Sequence, residues 1–422
     1  MNLYYTFCIV VVLAALIAYL NQRLLKLPST IGVMLIAIFI SLLLMLSSNL
    51  FPSFFSDTLR LLDSVNFSKI FIGAVLNFLL FAGTIQIRIQ DLKRQQWSVA
   101  IFSTVSVVMS TLLVGCMLYL LLQWLQMGVP LLQCLLFGAL ISPTDPVSIL
   151  AIVRQTSVSK SLETKIAGES LFNDGVALVI FFTLISSIRN PEDPLTISDV
   201  AKVFAREALG GLVLGIAIGY IALKALKTID NYKLEVMITL ALVMGGAALA
   251  HSLGVSEPLT MVSAGIFTGN YSKAFSMSDV SRDYLDKFWE LIEEILNVVL
   301  FVLIGFELLF IKHFHYYWLI GIITIAIVLA ARFISIWLPS LFLRFRERTD
   351  TLSVLILTWG GLRGGISIAL ALSLPRGMHK DLIVFITYCV VVFSVVVQGL
   401  SIERMLLQRK RKQAKTRPSL AN

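Results

Sequence analysis

Charged residues are scarce in this chain of 422 residues, because Asp, Glu, Lys and Arg make up only 14% of it. A soluble globular protein carries about 25%. Hydrophobic residues make up 58%, and no loop between the apolar stretches is long enough to hold a soluble domain. The composition therefore excludes a water-soluble fold and indicates a chain that lies mostly within a membrane.

Cysteine and histidine are also rare, with four of each. Cys8, Cys116, Cys134 and Cys389 all lie inside predicted helices, and no pair has the spacing of a metal site. We therefore expect neither a structural disulfide nor a zinc site. The histidines lie at predicted helix ends or in short loops, where a surface position is favoured over a role in proton relay.

Thirteen apolar stretches alternate with short polar loops, and a helix needs roughly 20 residues to cross a membrane. The first stretch, Leu3 to Asn21, has no basic segment before it and no small-residue cleavage pattern after it, so we expect a retained helix. The others are predicted at residues 28–47, 67–85, 98–123, 131–152, 166–188, 204–226, 234–252, 257–270, 290–310, 316–342, 351–373 and 381–403.

The basic residues indicate how the chain is oriented. Most of the 34 Lys and Arg lie in predicted loops of one parity or in the tail at residues 406–422. The positive-inside rule then predicts an N-terminus outside and a cytoplasmic C-terminus. This distribution accounts for the formal net charge of +9 without a nucleic-acid partner, and the basic tail is expected to lie near anionic lipid.

The fifth predicted helix contains residues that a helix tolerates poorly. Pro143 and Pro146 flank Thr144 and Asp145 near its centre. Proline removes a backbone donor and clashes with the preceding turn, so we expect a break here that frees carbonyl groups such as that of Thr144.

The twelfth predicted helix is interrupted in a different way, by the glycines Gly360, Gly361, Gly364 and Gly365 around Arg363. Six stretches precede an odd seventh and six follow it, so the fifth and twelfth helices match and the odd helix inverts the second half. Interrupted helices at matching positions of inverted repeats indicate an ion or substrate site at the membrane midplane. The alternative is that proline and glycine only permit close helix packing.

Four polar residues of the sixth predicted helix share one face at 100° per residue: Glu169, Ser170, Asn173 and Asp174. An ionisable residue within a membrane is costly and is expected to have a partner. Arg363 is the expected partner of Glu169. No cationic partner is evident for Asp174 or Asp145, so we expect the missing positive charge to arrive as a proton or a metal cation.

These motifs resemble a known family. Thr144-Asp145-Pro146, the run GESLFNDG at residues 168–175 and the run GGLRG at residues 360–364 are similar to the signature of the monovalent cation/proton antiporter superfamily, specifically the NhaP/NHE-type sodium/proton exchangers. The resemblance covers the whole chain in span count and motif order. It implies an all-α polytopic membrane protein with about 13 transmembrane helices, in two inverted six-helix repeats with broken crossing helices.

The resemblance also implies a homodimer and a division into domains. Dimerisation helices are expected at residues 1–97 and 231–312, with a linker helix at 200–230. A core domain that carries the ion is expected at 98–190 and 313–405, and a basic cytoplasmic tail at 406–422.

The family's cation site carries over to four residues with oxygen ligands: Asp174, Asp145, Thr144 and Ser170. Asp174 is then the main ligand and the proton carrier. The resemblance makes Glu169 and Arg363 a structural ion pair, and Asn173 replaces a second aspartate of electrogenic relatives. Phe81 is followed by alanine where some relatives carry an acidic residue, so a ligand from the third helix is in doubt.

The implied activity is exchange of Na⁺, or Li⁺, for H⁺ by alternating access in a prokaryotic plasma membrane, with no cofactor beyond the transported ions. An ionised carboxylate binds a hard cation through oxygen, and a protonated one holds H⁺ instead. Because Asn173 cannot ionise, we expect electroneutral exchange of one cation for one proton. Glu257 has no assigned role and is expected to be a solvated carboxylate near the outer face.

Other functions remain open at this point. A K⁺/H⁺ antiporter is the main alternative, because no residue visibly fixes the size of the cation cavity, and a channel would conduct without proton coupling. An intramembrane aspartyl protease is remote, since neither Asp145 nor Asp174 lies in a Tyr-Asp or Gly-x-Gly-Asp sequence. The chain is therefore expected to be a transporter rather than an enzyme.

Overall fold

The computed structural model describes residues 3–47, 51–53, 59–60, 75–145, 149, 160–189, 197–272, 277–310, 314–343, 351–375, 377–402 and 405–406. All regular secondary structure in these residues is helical. The helices before residue 190 are α1 (Leu3–Leu20), α2 (Ser29–Ser47), α3 (Leu76–Ile85), α4 (Ile89–Arg94), α5 (Gln96–Ser103), α6 (Val105–Trp124), α7 (Leu131–Ile141) and α8 (Lys160–Arg189). The later helices are α9 (Ile197–Leu226), α10 (Tyr232–Leu253), α11 (Glu257–Phe267), α12 (Asp279–Glu307), α13 (Phe314–Leu343), α14 (Thr351–Trp359), α15 (Gly365–Leu372) and α16 (Lys380–Phe393).

Eight helical stretches within the described residues are long and apolar enough to cross a membrane. They are Cys8–Leu25, Ser29–Ser47, Gln96–Trp124, Leu162–Arg189, Ala205–Leu226, Tyr232–Leu253, Tyr317–Leu343 and Lys380–Ile402. The prediction of an all-helical membrane protein is therefore confirmed. The count of thirteen spans, the inverted repeats and the domain division stay predictions.

Three helices begin well before the apolar stretches that predicted them. α8 begins at Lys160 rather than near residue 166, α9 begins at Ile197 rather than near residue 204, and α12 begins at Asp279 rather than near residue 290. The first turns of α12 carry charged side chains, which a search for apolar stretches excludes. They are helical because Ser278 accepts a hydrogen bond from the Ser281 amide and because Lys287 pairs with Asp283 one turn earlier.

Close packing of α6 on α7 fixes the position of the interrupted fifth span. A methyl group at Gly115 of α6 would lie 2.7 Å from the Leu135 Cα, and one at Gly138 of α7 would overlap the Thr111 carbonyl. Helices in membranes associate through such small residues, because lipid is as apolar as their side chains.

A tight turn joins α10 to α11. Gly254 follows the last residue of α10 and caps it, with a φ of 63° in the left-handed region that glycine adopts without strain. Ser256 then accepts a hydrogen bond from the Leu259 amide and caps α11. The turn brings His251 at the end of α10 next to Glu257 at the start of α11.

Candidate ion-binding site

α7 stops at the centre of the fifth predicted span. Its last helical residue is Ile141, and residues 142–145 continue without helical structure. Pro143 lies in this segment. Proline has no amide hydrogen, so a continuous helix through this position would lack one of its hydrogen bonds. Pro146 lies outside the described residues.

The twelfth predicted span is divided in the same way, with residues 361–364 non-helical between α14 and α15. The two interruptions meet, because the Asp145 amide donates a hydrogen bond of 2.7 Å to the Leu362 carbonyl. Gly364 permits this approach, since a methyl group there would lie 2.9 Å from the Asp145 Cβ. The remaining glycines also face neighbours closely: Gly360 faces Ile149, and Gly365 faces Leu300.

Arg363 occupies the crossing point and is buried. Its guanidinium Nη1 donates to the carbonyls of Ser142 and Pro143 at 3.0 and 3.3 Å. Its backbone amide donates to the Ser394 hydroxyl at 2.9 Å. A cation at the C-terminal end of a helix satisfies unpaired carbonyls and complements the helix dipole, so Arg363 stabilises the broken end of α7.

A chain of polar contacts joins α8 to the broken segment after α7. The Ser170 and Thr144 hydroxyls are 2.9 Å apart, and the Asn173 Nδ2 donates to the Thr144 hydroxyl at 2.7 Å. The same Asn173 nitrogen donates to Glu169 Oε1 at 3.0 Å. All four side chains are buried, so Asn173 links the segment that carries Thr144 and Asp145 to α8.

Glu169 makes its direct ion pair with Arg332 of α13 and not with Arg363, the partner expected from the sequence, which interacts with Glu169 only through its charge. The Arg332 Nη2 lies 2.8 Å from Glu169 Oε1, and both side chains are 3% exposed. Arg363 instead finds carbonyl acceptors at the broken end of α7. Gly361 makes room for the pair, since a methyl group there would lie 2.8 Å from the Arg332 Nε. The sequence expectation did not pair Arg332 with Glu169, although Arg332 is the only Asp, Glu, Lys or Arg in α13.

Asp174 lies one residue beyond Asn173 on α8 and is 1% exposed. Its Oδ1 atom is buried and has no hydrogen-bond partner in the part of the chain that the structure describes. The carboxylates of Asp145 and Glu169 repel an ionised Asp174, and the Arg363 guanidinium attracts it. Among the described residues the site thus offers an unpartnered carboxylate oxygen close to a second carboxylate.

The structure also shows the surroundings of two other positions singled out in the sequence, Phe81 and Glu257. Phe81 and Ala82 are both buried in α3, which offers no carboxylate there. Glu257 is not simply solvated: its Oε2 accepts a hydrogen bond from Asn77 at 2.9 Å, and its Oε1 lies 3.0 Å from the His251 Nδ1. Glu257 of α11 is thus held between Asn77 of α3 and His251 of α10.

Interrupted helices that cross at buried ionisable residues define this chain as a membrane protein of the secondary-transporter class. The family model described as "Sodium/hydrogen exchanger, transmembrane" matches residues 11–408. The chain belongs to this family, and the resemblance seen in the sequence is confirmed.

The chain is similar to several curated relatives over most of its length. It is 43% identical over 400 residues to the Na⁺/H⁺ antiporter NhaP of Pseudomonas aeruginosa, and the match covers 93% of each chain. It is 30% identical to the Na⁺/H⁺ antiporter NhaH of Halobacillus dabanensis, over 91% of this chain and 92% of that one. The solved structure of the sodium proton antiporter MjNhaP1 from Methanocaldococcus jannaschii at pH 8 matches with a TM-score of 0.76 and 19% identity, over 97% of this chain and 99% of that one. This likeness confirms the antiporter fold.

Proposed function

We propose that this protein is an integral membrane antiporter that exchanges Na⁺ for H⁺, and that Asp174 binds the two ions in turn. Membership of the sodium/hydrogen exchanger family and the 43% identity to an antiporter named NhaP support the exchange. The protein is then a secondary transporter and not an enzyme.

The observation that carries the assignment to Asp174 is its buried Oδ1 atom, which has no hydrogen-bond partner among the described residues. A buried polar atom of this kind is costly unless a ligand satisfies it. An ionised Asp174 offers a hard oxygen ligand to a cation, and a protonated Asp174 holds a proton in its place. Because one carboxylate does not hold both, movement of one ion across the membrane requires return of the other.

Three further oxygen-bearing residues complete the proposed cation site: Asp145, Thr144 and Ser170. Thr144 and Ser170 are hydrogen-bonded to each other, and the Asn173 amide holds Thr144 in place. Asn173 thereby positions the ligands without contributing an ionisable group.

The charges around the site support electroneutral exchange. Glu169 and Arg332 balance each other as an ion pair. The Arg363 guanidinium attracts an ionised Asp174. Asp174 then exchanges one monovalent cation for one proton, because Asn173 beside it cannot ionise and carry a second proton.

Proton flux in proteoliposomes tests the function. The purified protein is reconstituted with an entrapped pH-sensitive dye, and a gradient of Na⁺, Li⁺ or K⁺ is imposed. We expect Na⁺ to drive proton movement in wild type and not in Asp174→Asn. Flux driven by K⁺ in preference to Na⁺ would instead identify a K⁺/H⁺ antiporter, and cation movement without proton movement would identify a channel.

The proposal also includes the location of the protein, its oligomeric state and the orientation of its termini. The bacterial relative supports a plasma membrane location. We propose a role in pH homeostasis because exchange of Na⁺ for H⁺ moves protons across that membrane. We further propose a homodimer with the N-terminus outside and the C-terminus in the cytoplasm, on the distribution of basic residues and the family resemblance. The lipid bilayer surrounds the proposed dimer, and we expect no nucleic-acid partner.

A further inference from the structure

A π-helical turn, Ser394–Gln398, follows α16 and lies against the interruption of the twelfth predicted span at residues 360–364. The Gly399 amide donates to the Ser394 carbonyl five residues earlier, which is the hydrogen-bond pattern of a π-helix. Such turns are rare, and they occur frequently at functional sites. The first and last residues of the turn, Ser394 and Gln398, are polar and buried.

Ser394 and Gln398 hold the chain near both ends of the interruption. The Ser394 hydroxyl accepts a hydrogen bond of 2.9 Å from the Arg363 amide, just before α15. The Gln398 Nε2 donates to the carbonyl of Trp359, the last residue of α14, at 3.1 Å. Because both side chains belong to one turn, they fix how far the end of α14 lies from the start of α15.

The contact with Gln398 also completes the C-terminal end of α14. The last carbonyls of a helix have no partner within that helix. Here the Leu357 carbonyl accepts from the Arg332 Nη2 at 3.3 Å, and the Trp359 carbonyl accepts from Gln398. Gln398 and Arg332 border the same small cavity of about 10 Å³. The π-helical turn therefore lies next to the arginine that pairs with Glu169.

The composition of the interruption explains why it needs support from outside. Three of its five residues are glycine: Gly360, Gly361 and Gly364. Glycine has the greatest backbone freedom and loses the most of it on folding. The interruption must nevertheless be placed closely, because a methyl group at Gly364 would lie only 2.9 Å from the Asp145 Cβ. Contacts from a neighbouring helix are what fix such a segment.

The interruption in turn determines where two of the proposed cation ligands lie. The Leu362 carbonyl accepts a hydrogen bond of 2.7 Å from the Asp145 amide. The Arg363 side chain donates at 3.3 Å to the carbonyl of Pro143, the residue before Thr144. Asp145 is thus bound to the interruption directly, and Thr144 is bound to it through its neighbour. A displacement of residues 360–364 would move both ligands relative to α8.

We propose that Ser394 and Gln398 are positioning residues of the cation site, which act through the interruption that they hold near both ends. The inference rests on the proposed exchange function. Their hydrogen bonds are to Arg363 and Trp359 and not to the proposed ligands. Substitution of residues that orient metal ligands through hydrogen bonds typically lowers metal affinity by about 10–100-fold. Loss of either contact then weakens the binding of Na⁺ without removing the group that exchanges it for a proton.

The variants Ser394→Ala and Gln398→Met each remove one of these hydrogen bonds. Each purified variant is titrated with NaCl in weakly buffered detergent solution while a pH-sensitive dye reports released protons. We expect the Na⁺ concentration for half-maximal release to rise about tenfold. The number of protons released at saturation stays as in wild type, because Asp174 is unchanged. In proteoliposomes the KM for Na⁺ should rise by a similar factor, and the maximal rate should change much less.

Ser401→Ala is the matched control. Ser401 lies on the same helical stretch just beyond Gln398, and its hydroxyl accepts from the Trp359 Nε1 at 2.8 Å. This variant also loses a hydrogen bond to Trp359, but the bond is to the side chain and not to the carbonyl at the interruption. We expect small and similar falls in unfolding temperature for all three variants. Only Ser401→Ala should keep the sodium affinity of wild type, which a purely structural role of the other two residues does not predict.

The possible outcomes separate the positioning role from the exchange function. Wild-type sodium affinity in Ser394→Ala or Gln398→Met would overturn the role of the residue concerned, and an equal loss of affinity in Ser401→Ala would overturn both roles. If one variant does not fold, the other carries the test, since each removes a separate contact. If wild type itself neither releases nor moves protons in response to Na⁺, sodium/proton exchange is refuted, and the same comparison is made with K⁺. If wild type exchanges Na⁺ and both variants bind it as wild type does, only the positioning role is refuted.

Discussion

Removal of Arg332 tests the ion pair that the structure assigns to Glu169. The Nη2 to Oε1 distance is 2.8 Å, and both side chains are 3% exposed. In Arg332→Met, the Asn173 amide remains as a hydrogen-bond donor to Glu169 Oε1, at 3.0 Å. Loss of one member of a buried ion pair destabilises a protein by about 3–5 kcal/mol, because the other charge is left buried without compensation.

The double variant Glu169→Gln/Arg332→Met should be more stable than Arg332→Met alone. The second substitution removes the charge that the first one left unpaired, so the two effects are not additive. The corresponding double variant with Arg363→Met should show no such recovery, because Arg363 bonds to the carbonyls of Ser142 and Pro143 and not to Glu169.

The assay is thermal unfolding in detergent, followed by tryptophan fluorescence, with the order of the unfolding temperatures as the result. Unfolding of a large membrane protein is not a two-state transition, so the ranking carries the conclusion rather than a free energy. If Glu169→Gln recovered stability in combination with Arg363→Met and not with Arg332→Met, the assigned pair would be refuted. Arg363 would then be the partner of Glu169, as expected from the sequence.

Three further predictions concern transport. Asp174→Asn and Asp145→Asn should each abolish sodium-driven proton flux while the proteins still insert and elute as folded species, and wild-type flux in either variant would contradict the site. Sodium/proton exchange with the potential clamped by potassium and valinomycin should not respond to voltage, once potassium transport by the protein has been checked separately; a reversal point that shifts with voltage would show net charge movement. Gly364→Ala should weaken sodium-driven flux, because its methyl group displaces Asp145. Gly245→Ala, whose methyl group meets nothing within 4 Å, should not, and equal effects would refute the close-contact argument.

Local chemistry explains why the helix breaks could be predicted from the sequence. Pro143 lacks an amide hydrogen wherever the chain places it, so the end of α7 near Ile141 follows from the residue itself. The glycines were expected to loosen the twelfth helix. The structure adds that Gly361 and Gly364 also provide space, for Arg332 and Asp145 respectively.

Long-range geometry explains why the partner of Glu169 was missed. Arg332 and Glu169 are 163 positions apart in the chain, and no spacing rule relates residues at such a distance. The rule that an intramembrane charge needs a partner applied equally to Arg332. A search that paired every intramembrane arginine with every intramembrane carboxylate would have included the pair, but only the fold selects it.

Glu257 is a second residue whose position could be predicted from the sequence but whose contacts could not. Its position at the start of α11 follows from Ser256 and Pro258, which favour a helix N-terminus. Its contact with Asn77 does not follow, because it depends on how α3 packs against α11.

The most direct test of the central claim measures the protons that leave the protein when sodium binds. Purified wild-type protein in weakly buffered detergent solution is titrated with NaCl while a pH-sensitive dye reports the released protons, with choline chloride as the control salt. We expect release that saturates at one proton per protomer in wild type and no release in Asp174→Asn. Sodium binding without proton release in wild type, or undiminished release in Asp174→Asn, would contradict competition of the two ions for Asp174.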